Sequence, residues 1–225
     1  MDTLTTKYVI GVDEVGCGAI AGPLIVAAAA FPADMKQVTA EWRGVRGPTT
    51  LSATDSKRVN TADRRAVIDS AVRESATAIA VIERSANEID ARLFRTVFPE
   101  AVQLAVRRCV ERLAAAIRGL QREDFVVLID GDLVRPDVPC TVRMVPGGDA
   151  SDWRIGAASI VAKTQHDKSV SMLCRRYPAW QFDKHRGYPT KKHLELLHET
   201  GPIDGVHRKT FAPVREARGN IAGME

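Results

Sequence analysis

Cysteine is scarce in this sequence, and what there is lies scattered. Cys17, Cys109, Cys140 and Cys174 show no C-x-x-C spacing. That argues against a zinc site and against a disulfide framework, and it favours a reducing compartment. Long apolar runs are missing too. The longest, Ala19 to Phe31, contains Gly22-Pro23 and follows two acids. It is neither a signal peptide nor a membrane span, so the expected location is cytoplasmic, with no membrane partner. Internal repeats and low-complexity segments are absent, which excludes a repeat architecture. A strong net charge is lacking as well, with Lys plus Arg at 32 and Asp plus Glu at 28. The excess is local. From Arg175 to Arg218 there are ten Lys/Arg against five Asp/Glu, and four of the five histidines lie there. A basic C-terminal third points to an anionic partner, nucleic acid first; the plainer alternative is a solvated helical face.

What is present begins with Tyr8-Val-Ile-Gly-Val-Asp13-Glu14-Val-Gly16-Cys17-Gly18. The β-branched run is of strand length, and two adjacent carboxylates end it. Like charges side by side raise one another's pKa, and burial raises both. A divalent cation with oxygen ligands is the usual counterweight. Gly16 and Gly18 then allow close backbone approach to a ligand. A polar strand end running into solvent is the simpler reading of the two acids, but it leaves the glycines unexplained.

Phe125-Val-Val-Leu-Ile-Asp130-Gly131-Asp132 is a second acid-tipped strand. Asp13, Glu14 and Asp130 converge if these two strands are parallel neighbours, since functional groups collect at the carboxyl ends of parallel strands. Asp149, after Gly147-Gly148, completes a set of four acids. Asp149 could also merely cap a helix, a role Asp152 fits better. Asp132 is ambiguous in a turn where Asp is common. Four acids without histidine or cysteine match Mg²⁺ or Mn²⁺ rather than zinc.

Along the chain, strands are expected over 7–13 and 23–31, as an antiparallel pair, and over 77–82, 125–130 and 140–145. Residues 32–54 read as an irregular surface loop, broken by Gly44, Gly47 and Pro48. Thr61 reads as the N-cap of a helix. Asn87 starts a short helix, and Pro99 opens a longer one to Ile117. Further helices are expected over 152–176 and 190–198, followed by a basic tail. The fold class is α/β with a mixed central sheet flanked by helices. The expected layout is a catalytic domain over 1–175 and a basic helical C-terminal region over 176–225 packed on it. Monomer is the default.

The motifs resemble those of ribonuclease HII, the bacterial type 2 ribonuclease H. The matching segments are Gly11-Val-Asp-Glu-Val-Gly, Gly22-Pro23, Asp55-Ser-Lys57, Leu128-Ile-Asp-Gly131, Gly148-Asp149, and Ala157-Ala-Ser-Ile-Val-Ala-Lys163. They continue with His185-Arg-Gly-Tyr188-Pro-Thr, His193, and His207-Arg208 through Phe211-Ala-Pro213. Each is weak alone, but their order and spacing are specific. The resemblance implies a ribonuclease H-like fold with a helical C-terminal extension. It implies Asp13, Glu14, Asp130 and Asp149 as the catalytic, metal-binding acids. It implies cleavage of the RNA strand of RNA–DNA hybrids and nicking 5′ to a ribonucleotide embedded in duplex DNA, leaving 3′-hydroxyl and 5′-phosphate ends.

In that family the glycine turn reads the 2′-hydroxyl, and a tyrosine matching Tyr188 stacks on the adjoining deoxyribose. The substrate contacts expected are therefore Gly16, Cys17, Gly18, Tyr188, Lys57, Arg186, His193 and Arg208. The basic ones would be phosphate contacts that set affinity and salt dependence; Lys191, Lys192 and Lys209 belong with these, whereas for Lys163 a structural role is equally expected. Two departures stand out. The family's turn is usually Gly-Arg-Gly and here is Gly16-Cys17-Gly18, a change that bears on junction recognition more than on hydrolysis. Asp132 stands where asparagine is common.

Rival readings fare worse. Asp130-Gly-Asp132 imitates a haloacid-dehalogenase-type phosphatase, but fewer than twenty residues separate it from Gly148-Asp149, and Asp13-Glu14 stays unexplained. A non-enzymatic hybrid binder would have no use for four acids that repel its ligand. Ribonuclease HIII carries an extra N-terminal domain that the few residues before the first strand do not provide.

Overall fold

A computed structural model describes residues 6–44, 47–54, 59–132 and 134–222. The central sheet has five strands: β1 (Tyr8–Val15), β2 (Leu24–Pro32), β5 (Ala78–Arg84), β6 (Phe125–Asp130) and β7 (Thr141–Val145). Their order is β5-β2-β1-β6-β7. The remaining strands, β3 (Thr39–Gly44) and β4 (Gly47–Ser52), form a separate antiparallel hairpin. The helices are α1 (Ala62–Ser75), α2 (Ala86–Arg92), α3 (Phe94–Ala116), α4 (Gly148–Ser151), α5 (Trp153–Arg176), α6 (Phe182–His185), α7 (Lys191–Thr200) and α8 (Ala212–Ala222). This is the mixed sheet with flanking helices that the sequence pattern calls for.

The decisive pairing is β1 with β6. They run parallel, from Tyr8 beside Phe125 to Val12 beside Ile129. The next register positions are Asp13 and Asp130. β6 in turn runs parallel to β7, with Asp130 beside Val145. Both acid-tipped strands therefore deliver their carboxylates at one edge.

Two compact units can be distinguished. One comprises Met1–Glu14, Val26–Ile82 and Pro99–Thr164. Here Val9, Leu128 and Ile155 pack together, joined by Val126 and Val145. Ala27 to Ala30 are fully buried in β2; their small side chains suit a sheet covered closely. Gly11 has the same logic, because a Cβ there would overlap the Arg154 carbonyl at the start of α5. The other unit comprises Val15–Ile25, Glu83–Phe98 and Gln165–Glu225. Its core gathers Ile20, Val170, Trp180, Phe182, Leu197 and Val214. Burying a side chain such as Phe182 stabilises by about 1.5–3 kcal/mol.

The structure departs from the sequence expectation at two places. Residues 39–44 and 47–52, expected as part of an irregular loop, are the strands β3 and β4, paired antiparallel with Gly44 beside Gly47. Pro99, expected to open a helix, lies inside α3, which begins at Phe94. Residues 212–222, within the C-terminal region expected to be helical, form α8. The N-cap at Thr61 is as expected, and Thr190 caps α7 in the same way, each side chain accepting a backbone N–H from three residues on.

Candidate active site

Asp13 is only 4 % exposed. Its Oδ1 accepts the Glu14 N–H at 2.7 Å. Burial, with the Glu14 and Asp130 charges adding to it, pushes its carboxyl up to about 7; the Ser159 hydroxyl and the Glu14 amide oppose the rise. Glu14 and Asp130 are half-buried. Asp130 Oδ1 accepts the Gly148 N–H at 2.6 Å, which ties the tip of β6 to the first residue of α4. Asp149 follows on that turn, its Oδ2 3.7 Å from Lys163 Nζ.

The local sequence explains the turn. Gly147 takes a left-handed conformation, φ 65°. A Cβ on Gly148 would overlap Ile155 and crowd Val145 and Asp130. Both glycines are therefore needed to bring Asp149 beside β6. Asp152, not Asp149, caps α5, accepting the Arg154 N–H at 2.9 Å. Asp132 is exposed. Beside Asp149 lies a cavity of about 240 Å³ lined by Asn60, Arg65, Ser159 and Lys163 among others.

Among the described residues, no three carboxylates, histidines or cysteines gather closely enough to cage an ion by themselves. Asp13, Asp130 and Asp149 instead engage the Glu14 amide, the Gly148 amide and the Lys163 ammonium. The donor set still suits a hard cation. Mg²⁺ keeps several waters and commonly takes one or two carboxylates together with substrate phosphate oxygens, so an all-protein cage is not required.

The glycine turn belongs to the second unit. Gly16 has φ 91°, and a Cβ there would lie 2.6 Å from the Pro23 carbonyl oxygen. Its N–H donates to the Tyr188 hydroxyl at 3.2 Å. Gly18 and Tyr188 are exposed. Arg208 lies beneath the turn. Its Nη1 donates to the carbonyl oxygens of Gly16 at 2.7 Å and Cys17 at 3.4 Å, and its Nε to that of Gly22 at 3.1 Å.

Tyr188 is held by a histidine chain. The Ile203 N–H donates to His207 Nδ1 at 2.9 Å, which leaves His207 with its proton on Nε2. That proton faces His193 Nε2 at 3.1 Å. His193 Nδ1–H then donates to the Tyr188 carbonyl at 2.8 Å. The direction of the first bond fixes all the others, and every histidine in the chain is neutral. Burial agrees, holding His193 at about 4 and His207 at about 3.

Two expected phosphate contacts are corrected here. His193 and Arg208 are 0 % exposed, so neither side chain has surface to offer a phosphate. Arg186 is half-buried and paired with Asp167 at 2.6 Å. Lys191 and Lys192 are exposed at the start of α7. Lys57 lies outside the described residues. The residues missed from sequence as positioning groups are His207, Arg208 and Gly148; the glycine pair at 147–148 was the only local signal.

Comparison with known proteins now decides the family. The ribonuclease HII family model matches residues 10–214. The chain belongs to the ribonuclease HII family. It is thus a ribonuclease H-type endonuclease, a hydrolase. Ribonuclease HII of Xanthomonas axonopodis pv. citri (strain 306) is 36% identical over 220 residues, covering 98% of this chain and 80% of that one. Among solved structures, ribonuclease H2 from Pyrococcus horikoshii OT3 superposes with a TM-score of 0.70 at 20% identity, covering 96% of this chain and 99% of that one. Bst-RNase HIII, solved in complex with Mn²⁺, gives a TM-score of 0.64 at 21% identity, covering 99% of this chain and 72% of that one. These likenesses establish a shared ribonuclease H-like fold. No described helix is long and apolar enough to cross a membrane, and all four cysteines are free thiols.

Proposed function

We propose that this ribonuclease HII relative cleaves the RNA strand of RNA–DNA hybrids and nicks 5′ to a ribonucleotide embedded in duplex DNA, leaving 3′-hydroxyl and 5′-phosphate ends. Asp13, Glu14, Asp130 and Asp149 are the residues that would hold Mg²⁺ or Mn²⁺. The observation that carries this reading is the parallel register of β1 and β6, which puts Asp13 and Asp130 at neighbouring strand tips. The Gly148 N–H adds the turn that bears Asp149. Bound there, divalent ions would activate a water on one side of the phosphodiester and stabilise the leaving oxygen on the other.

The chain's own groups do the rest. Gly148 fixes the rotation of Asp130 through one oxygen and leaves the other to a ligand. Lys163 pairs with Asp149 at 3.7 Å and offsets part of its charge. Two residues after Glu14, the glycine turn offers backbone amides to a 2′-hydroxyl, the one group that separates RNA from DNA at a given position. Tyr188, partly exposed beside it, offers a ring to the adjoining sugar. Exposed Lys191 and Lys192 serve the phosphate backbone.

The test compares two substrates in Mg²⁺ or Mn²⁺: duplex DNA with one ribonucleotide, and a continuous RNA–DNA hybrid. A nick 5′ to the lone ribonucleotide is expected, with the hybrid cut as well. Cleavage of the hybrid alone would restrict the activity to runs of ribonucleotides. Asp130→Asn should lower turnover at least about a hundredfold with an unchanged circular dichroism spectrum; normal turnover would overturn the metal assignment.

A further inference from the structure

Arg208 is an odd residue for a nuclease to bury. It is 0 % exposed, and among the described residues no carboxylate pairs with it. Burial pulls its guanidinium down to about 10. Enclosing a cation without an acid is costly unless its donors are met. Here Nε and Nη1 are met by main-chain carbonyls, all from one short segment, Gly16, Cys17 and Gly22, whereas the buried Nη2 has no hydrogen-bond partner among the described residues. The same residue is pinned by its backbone, since its N–H donates to the Ile20 carbonyl at 2.8 Å. The neighbouring amides of Lys209 and Thr210 both donate to Asp90, at 2.8 and 2.9 Å. The guanidinium also lies 5.2 Å from the Phe211 ring centre.

Peptide geometry turns this into a statement about the turn's outer face. No peptide bond in the described structure is cis. In a trans peptide the C=O and the next residue's N–H point in opposite directions. The Gly16 carbonyl points at Arg208, so the Cys17 N–H points away from it. The Cys17 carbonyl points at Arg208, so the Gly18 N–H points away too. Arg208 is enclosed and Gly18 is exposed. Among the described residues the Gly18 N–H has no protein acceptor.

We infer that Arg208 is the positioning residue of ribose recognition: by gathering the Gly16, Cys17 and Gly22 carbonyls onto one buried fork, it aims the Gly18 amide at the 2′-hydroxyl. The inference rests on the proposed function and adds to it the group that sets the recognition geometry. It also gives the Gly-Cys-Gly turn a source of rigidity that does not depend on the side chain at position 17. A lysine cannot replace the fork, because a single ammonium lacks the planar spread of donors that meets separated carbonyls.

The experiment measures Kd for two duplexes of one sequence, all-DNA and carrying a single ribonucleotide, with Ca²⁺ in place of Mg²⁺ to slow turnover. Wild-type protein should prefer the ribonucleotide duplex by about tenfold, the scale of one or two good hydrogen bonds. In Arg208→Lys the preference should fall to within about twofold. Partial unfolding would weaken both Kd values by one factor and leave their ratio alone, so the ratio reports recognition. A folded Arg208→Lys that keeps the full preference overturns the inference while the proposed function stands. Wild-type protein with no preference overturns the ribose reading and this inference with it.

A second measurement needs no variant. In ¹⁵N-labelled wild-type protein, the Gly18 amide resonance should shift with the ribonucleotide duplex and stay put with the all-DNA duplex at equal saturation. Equal responses to both would overturn the inference even if Arg208→Lys does not fold.

Discussion

At 4 % exposure with two acids for neighbours, Asp13 keeps its proton up to about pH 7 unless a positive charge arrives. The sign follows. A carboxyl raised in the folded state stabilises below its unfolded value and loses that contribution as pH rises through 7. At pH 8 without divalent ions, Asp13→Asn should therefore be more stable than wild type, by on the order of 2 kcal/mol, while losing turnover. Chemical denaturation in EDTA checks this. Gly148→Ala should do the reverse, costing about 1–3 kcal/mol by overpacking against Ile155 and displacing Asp130, with activity falling alongside. The acids stand out as candidates because strand, acid and glycine follow closely in Val12-Asp13-Glu14-Val15-Gly16 and Ile129-Asp130-Gly131. The roles of Arg208 and His193 do not. Charge in a sequence reads as surface, and only residues far along the chain decide that these two are enclosed.

Among the elements, β1 and β6 were recoverable from their own composition, and their adjacency followed from wanting the acids together. The β3–β4 hairpin was hidden. The residues of β3 alternate between exposed and half-buried, and in β4 Leu51 alone is buried, so no apolar run marks the hairpin, and Gly44, Gly47 and Pro48 look like breakers although all three pair across it. Pro99 misled in the same way: proline favours a helix start, yet α3 starts five residues earlier. Gly11→Ala should be among the costliest single substitutions, about 3 kcal/mol or more, because the obstacle is the Arg154 backbone and cannot rotate away; a thermal melt would show it. The histidine chain gives the elements around Tyr188 a pH signature. His193 and His207 are depressed in the folded state, so their contribution is complete above about pH 6.5 and is lost as pH falls towards 4. Each should cost about 1 kcal/mol by pH 5.5. Asp13 titrates with the opposite sign, so the histidine effect is read as the difference between wild type and His207→Asn, whose slope over this range should be flatter. Parallel slopes would exclude the neutral chain.

For the molecule as a whole, nearly balanced charge conceals a basic C-terminal third, and the structure sorts its members. Arg208 is enclosed and Arg186 is paired with Asp167, whereas Lys191 and Lys192 stand on the surface. Replacing both lysines by alanine should weaken binding to hybrid and to embedded-ribonucleotide duplex alike, and should lower the slope of log Kd against log salt by up to about 2. A change in substrate preference instead would place them in recognition. Composition and motif order were enough to read an α/β nuclease; the way the turn is held was not, since it depends on partners at opposite ends of the chain. The contact between Arg208 and Gly16 spans 192 positions. During synthesis, Asp13, Glu14, Asp130 and Asp149 have all left the ribosome before residue 208 is made. A nascent chain thus carries all four proposed metal-binding acids before it carries the residue inferred to set ribose recognition, so on that reading the order of translation places discrimination last.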